Sequence, residues 1–228
     1  MIPLLVKFPT RQRLTRFRAA LQQYVANLKH PDRVHFLFSL DEDDGTFNES
    51  VIVDLCSGKV GYTVAYGTSE SKIHAINRDI NEFDKPWERI LIASDDMLPC
   101  PMWDVWAEQS HVHFYPDGDG LLWFFDGYQK DICTIPLMGR KYYDRTGWIY
   151  DPRFRSVFAD NLQTDVARAL GRLTFQSHVL LRHAHNANDP TVQADDLHRR
   201  NETQAIWDQD QATYRAIVAA GIPQLRTH

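Results

Sequence analysis

The sequence has no apolar run near the ~20 residues that a membrane-spanning helix needs; the longest runs, such as Leu121 to Phe125, fall far short. It does not open on a charged-then-apolar leader either, because Pro3 to Phe8 reads directly as a strand. A soluble, cytoplasmic protein with no membrane partner is therefore expected. Cysteine is scarce: Cys56, Cys100 and Cys133 are an odd number, widely spaced, without CxxC or Cys/His metal spacing. That argues against both a disulfide framework and a structural zinc site. Positive charge is short as well, with 25 Lys and Arg against 30 Asp and Glu and a net charge of −5. This argues against a basic coat for nonspecific nucleic-acid binding, while Arg11, Arg13, Arg16 and Arg18 leave one local basic cluster able to touch a polyanion. There is no internal repeat, no low-complexity tract and no Gly-, Ser- or Pro-rich linker to force a boundary, so 228 residues at 43% hydrophobic predict one domain.

What is present is an alternation of strand-like and helix-like segments. After the first strand, Thr10 is placed to cap a helix with Leu14, Phe17, Leu21 and Leu28 at helical spacing, ending at His30-Pro31. Val34 to Leu40 and Val60 to Tyr66 read as strands that stop in polar loops, Lys72 to Ile80 as a short helix, and Arg89 to Ala93 as a further strand. Strands alternating with helices imply an α/β fold with a largely parallel sheet. Residues 111 to 137 read as more strand-like and aromatic, with Pro116 to Gly120 as a hairpin-type turn. Asp160 or Asn161 is placed to cap a helix through Leu173, and a last helix spans about Glu202 to Ala220.

The chemistry is expected where the Arg89 strand runs into two adjacent carboxylates, Asp95 and Asp96, followed by Pro99, Pro101 and Trp103. Open α/β sheets bind ligands at the carboxyl ends of their strands, and paired like charges are most easily stabilised by a divalent cation. Asp117 and Asp119 lack the remaining ligands of a calcium loop and read as a turn.

In this order the motifs resemble the GT-A glycosyltransferases, specifically the soluble family-two-like branch, over roughly residues 3 to 190. Lys7 to Arg11 is similar to that family's first strand and loop, Leu40 to Asp43 to its second strand end, and Ser71 to Arg78 to its lysine-to-asparagine helix. Ala93 to Asp104 resembles its metal-binding DxD region, with Ser94 or Ala93 standing where the first acid is usual. The resemblance implies a Rossmann-like, mostly parallel central sheet flanked by helices, with a mixed acceptor-side half. It divides the single domain into a nucleotide-sugar and metal half (about 1–105), an acceptor half (about 106–190) and a C-terminal helix (191–228).

It further implies that Pro9, Thr10, Arg11 and Asp41 line a nucleoside pocket with Lys72 and Asn77 nearby. Asp95 and Asp96 would hold ribose and Mn2+ or Mg2+, with Asp96 the stronger metal ligand. His183 or His185 would supply a late imidazole to the metal or diphosphate, His185 being favoured. Tyr142 to Phe154 resembles the acceptor-side motif, which makes Asp160 the general base that takes the hydroxyl proton in an inverting displacement. Trp123, Asp126 and Tyr128 are candidates for an acceptor platform. The implied function is metal-dependent, inverting transfer from a nucleotide-diphosphate sugar to a hydroxyl on a glycan, a protein or a modified DNA base, the last because small stand-alone enzymes of this look occur in phages. Two alternatives remain open on the residues: a metal-dependent nucleotidyltransferase or phosphoesterase, and a non-catalytic nucleotide-sugar-binding domain.

Overall fold

The computed structural model describes residues 1–46, 49–184 and 196–222. The first half contains β1 (Leu4–Thr10), α1 (Leu14–Ala26), β2 (Val34–Asp41), α2 (Ser50–Cys56), β3 (Gly61–Gly67), α3 (Lys72–Asn77), β4 (Arg89–Ile92) and β5 (Met97–Pro99). The second contains α4 (Trp103–Phe114), β6 (Leu121–Phe124), β7 (Pro136–Gly139), α5 (Arg140–Tyr143), α6 (Ala159–Ala169), β8 (Leu173–Gln176) and β9 (Leu181–His183). Two C-terminal helices follow, α7 (Asp196–Asn201) and α8 (Gln204–Ala219). Among the described residues no helix is long and apolar enough to cross a membrane.

Seven strands form one sheet in the order β3-β2-β1-β4-β7-β6-β8, and β5 pairs with β9 in a separate ladder. The β3-β2-β1-β4 half is parallel, β7 runs antiparallel to β4 and β6, and β8 is parallel to β6. The expected mostly parallel first half and mixed second half are both present. β1 and β2 are covered on both faces, which is why they read as nearly continuous apolar runs. Alternation along β1 sends Leu4, Val6 and Phe8 to a core with Phe17 and Tyr24 of α1 and Trp103 of α4. Leu5 goes to the opposite core with residues of α3, α5 and α6.

Several local expectations are corrected. Thr10 does not cap α1: pairing with Leu40 carries β1 through Thr10, and the chain turns over residues 11–13, with Gln12 at φ 61, before the helix begins at Leu14. His113 and Phe114 are helical. Trp103, Ala107 and His111, four residues apart, are the buried stripe of α4, and this 3.6-residue period outweighs the aromatic β-propensity of the segment. Pro116 to Gly120 consequently links a helix to a strand and is not a hairpin. Its Asp119 is buried against Arg145 at 2.5 Å and Arg172 at 3.5 Å. Neither Asp160 nor Asn161 caps α6, whose cap position is taken by Phe158.

Candidate active site

A cleft of about 570 Å³ opens at the carboxyl ends of β1, β2 and β4, at the edge where parallel order gives way to antiparallel. Its first wall is made by Pro9, Thr10 and Arg11 at the end of β1 and by Ser39 and Asp41 on β2. Arg11 reaches across the two strand ends to Asp41 at 2.7 Å and Asp43 at 2.5 Å. Asp41 is also 3.7 Å from Arg78, which donates to Leu40 O at 2.6 Å. Behind this wall Lys7 is fully buried. It donates to Ser39 Oγ and, at 2.7 Å, to Arg78 O, and burial lowers its ammonium pKa to about 7.

The floor is the end of β4. Asp95 is 3.1 Å from Arg13; burial raises its carboxyl to about 6, against the pull of that guanidinium. Asp96 lies 3.8 Å from His183 Nε2. The pairing of β5 with β9 sets Met97 opposite His183, and the Ala184 N–H donates to Asp96 O at 2.7 Å. Burial by itself would raise the Asp96 carboxyl, but the hydrogen bond and charge of His183, with Ser94 and Lys72, outweigh it and hold the group below the usual carboxylate range. His183 is the counterpart: burial disfavours its charge, yet Asp126 at 3.7 Å from Nδ1 and Asp96 together raise it to about 9.

These residues fit a divalent ion. Asp96 Oδ1 is buried without a hydrogen-bond partner, and an imidazole nitrogen stands beside the same carboxylate. Two ligands at ~2.1 Å from one ion can be up to about 4.2 Å apart, so 3.8 Å is within range. Among the described residues no group of three or more His, Cys, Asp or Glu is placed to hold a metal ion, so the pair is the whole of the protein's candidate ligand set there.

The opposite wall carries Ser69 to Lys72 and Arg155 to Asn161. Asp160 stands in the first turn of α6 and faces the cleft; its Oδ1 accepts the Asn161 N–H at 2.9 Å. Burial raises its carboxyl, partly offset by the charge of Lys72. Thus the cleft gathers Pro9, Thr10, Arg11, Asp41, Lys72, Asp95, Asp96, Asp160 and His183.

Other expected residues lie elsewhere. Asn77 is outside the cleft lining; its amide donates to Tyr150 O at 2.6 Å and accepts from the Ile149 and Tyr150 N–H groups. The acceptor platform is not found. Trp123 is a core residue packed on Phe175, and Asp126 is fully buried, accepting from Tyr128 N, Gln129 N and Thr134 Oγ1. Tyr128 is exposed and does not line the cleft. A buried strand residue and a buried loop carboxylate have the same sequence signature as exposed ones, which is why the segment reads as a platform. Asp126 Oδ2 instead lies 3.7 Å from His183 Nδ1, on the side of the ring away from Asp96. His185 lies outside the described residues. The cleft is also lined by Ser39, Arg155 and Trp207, which the sequence did not single out, and by Arg13, which it named only as part of a basic cluster. Arg13, two residues past Arg11 at the same strand end, carried a usable signal, whereas Trp207 reaches the cleft only through the packing of α8.

No protein-family model and no curated protein matches the sequence. The fold is nevertheless shared with solved structures. The mannosyltransferase PcManGT from Pyrobaculum calidifontis, in complex with GDP-Man and Mn2+, superposes with a TM-score of 0.63 at 14% identity, over 96% of this chain and 75% of that one. S. aureus TarS 1-349 in complex with UDP-GlcNAc gives 0.65 at 11%, over 97% and 68%. Glucosyl-3-phosphoglycerate synthase from Mycobacterium tuberculosis, in complex with Mn2+, UDP and phosphoglyceric acid, gives 0.61 at 13%, over 97% and 79%. The chain has the GT-A fold of glycosyltransferases.

Proposed function

We propose that the protein is a metal-dependent, inverting glycosyltransferase that moves a sugar from a nucleotide-diphosphate sugar to a hydroxyl acceptor. The observation that carries this reading is one cleft, at the strand ends of a GT-A fold, with the Asp96–His183 pair on its floor and Asp160 on the facing wall. The structural neighbours carry GDP-Man, UDP-GlcNAc or UDP, two of them with Mn2+. The nucleoside is assigned to the wall of Pro9, Thr10, Arg11 and Asp41, and its ribose to Asp95.

Asp96 and His183 would hold Mn2+ or Mg2+, which when bound neutralises the negative charge of the departing diphosphate. Lys72 adds a positive charge close enough to bias both Asp96 and Asp160. Asp160 takes the acceptor proton on Oδ2 as the hydroxyl oxygen attacks the anomeric carbon from the face opposite the diphosphate, inverting that carbon. The acceptor is a glycan, a protein or a modified DNA base.

The test is a thermal-shift panel of nucleotide-diphosphate sugars with and without Mn2+, on the wild type and Asp96→Ala. A metal-dependent rise in melting temperature with one donor, absent in Asp96→Ala, is expected. A flat response to every donor would overturn the reading.

A further inference from the structure

We propose that Asp210 on α8 is a positioning residue for transfer, acting through the backbone of residues 155–158 that delivers Asp160 to the cleft; the proposal rests on the reading of Asp160 as the acceptor base. Trp207, Asp210 and Tyr214 recur at steps of three and four and so share one face of the helix. Trp207 meets the Phe158 ring edge-on at 5.1 Å, and Tyr214 stacks on it at 5.8 Å while donating to Asp165 of α6 at 2.6 Å. Asp210 is fully buried. Its carboxylate accepts the Arg155 N–H at 3.0 Å, the Ser156 N–H at 2.8 Å and the Val157 N–H at 2.9 Å. Three successive amides pointing at one spot form an anion-binding nest, here filled by a side chain from a distant helix.

What this face holds is strained. Phe158 stands at φ 61, a left-handed conformation that is unfavourable for a non-glycine residue and persists only where its surroundings impose it. It occupies the cap position of α6, two residues before Asp160. Release of the 155–157 amides would let Phe158 relax toward negative φ and turn the first turn of α6, and the Asp160 carboxylate with it, away from its present direction. The same loop is tied to the edge that carries Lys72: Ile73 N–H donates to Arg155 O at 3.2 Å and Arg155 Nη2 to Glu70 O at 3.0 Å. An apolar residue at 210 would pack a helix without the desolvation cost of a buried charge. The charge-assisted bonds to backbone are what that carboxylate adds.

A carboxylate needed only for stability would lower activity whether or not Asp160 is present. Asp210→Asn, in the wild type and in an Asp160→Asn background, separates the two roles, with donor affinity, kcat and hydrogen–deuterium exchange measured on the full chain. Exchange is expected to quicken over residues 155–161 while β1 and β2 stay protected. kcat should fall about 10- to 100-fold with donor Kd changed less than about twofold, and Asp210→Asn should add little once the Asp160 carboxylate is gone. Tyr214→Ala removes the stacked ring while leaving the buried charge in place, and it should show the same pattern more weakly, so the proposal remains testable should Asp210→Asn fold poorly. Unchanged exchange over 155–161 overturns the clamp whatever the chemistry. An equal loss of kcat with and without the Asp160 carboxylate reduces Asp210 to a stability residue. A wild type that binds no nucleotide sugar sinks the reading of the site instead, and the exchange measurement still judges the clamp.

Discussion

Asp126 and Asp96 face His183 from opposite sides, one fully buried behind the ring and one at the cleft. Replacing Asp126 by Asn keeps the shape but removes the charge that fixes the imidazole, so Mn2+ affinity should fall about 10- to 100-fold in a direct metal titration. Asp41→Ala should weaken donor binding while leaving Mn2+ binding intact, because Asp41 lies on the wall proposed for the nucleoside and Arg11 then loses one of its two carboxylates; a donor titration by calorimetry would read the change. At this scale the gathering of Asp41, Asp95, Asp96 and Asp160 around one cleft was legible, since each ends or follows a strand or opens a helix in a recognisable order. Trp123 and Asp126 were misread because whether an indole or carboxylate faces solvent or core is decided by neighbours far away in sequence, here Phe175 and His183.

The elements that were read correctly are those whose pattern is set by burial on both sides, such as β1 and β2, or by a clear stop, such as α8, which runs to Ala219 just before Gly221. α4 was missed because Trp, Val and Phe favour strands, and only the four-residue recurrence of Trp103, Ala107 and His111 reveals the helix. The join of β7 and α5 makes a sharper demand. A Cβ on Gly139 would come within 2.1 Å of the Gly118 carbonyl oxygen, a backbone atom that cannot swing aside. Gly139→Ala should therefore destabilise the protein by about 1–3 kcal/mol, read as a lower urea midpoint with an unchanged slope.

Across the whole molecule, stability should depend on pH through imidazoles remote from the cleft. Burial lowers both His35 and His111 from 6.5 to about 4. Between those values the unfolded chain binds protons that the folded chain does not, so stability falls as pH drops through that window, by about 3 kcal/mol at most for each group. His183, raised above 6.5, already contributes fully below that pH, while Asp95, raised to about 6, and Asp160, also raised, gain stability as pH falls and offset part of the loss from the two imidazoles. Urea midpoints at pH 7 and pH 5 should differ accordingly, and His111→Gln should flatten the difference. The architecture was legible because a repeated strand-helix order restricts the topology; the place of α7 and α8 at the cleft was not, because a helical period shows which face is buried and not what it is buried against. The β5–β9 ladder has a consequence for the order in which the protein is made. β8 completes the seven-stranded sheet at Gln176, while the strand that brings His183 beside Asp96 begins only at Leu181. A chain made from its N-terminus can thus finish its main sheet at Gln176 before it possesses the strand that completes the proposed Asp96–His183 pair, so competence at that pair would be acquired after the sheet and not with it.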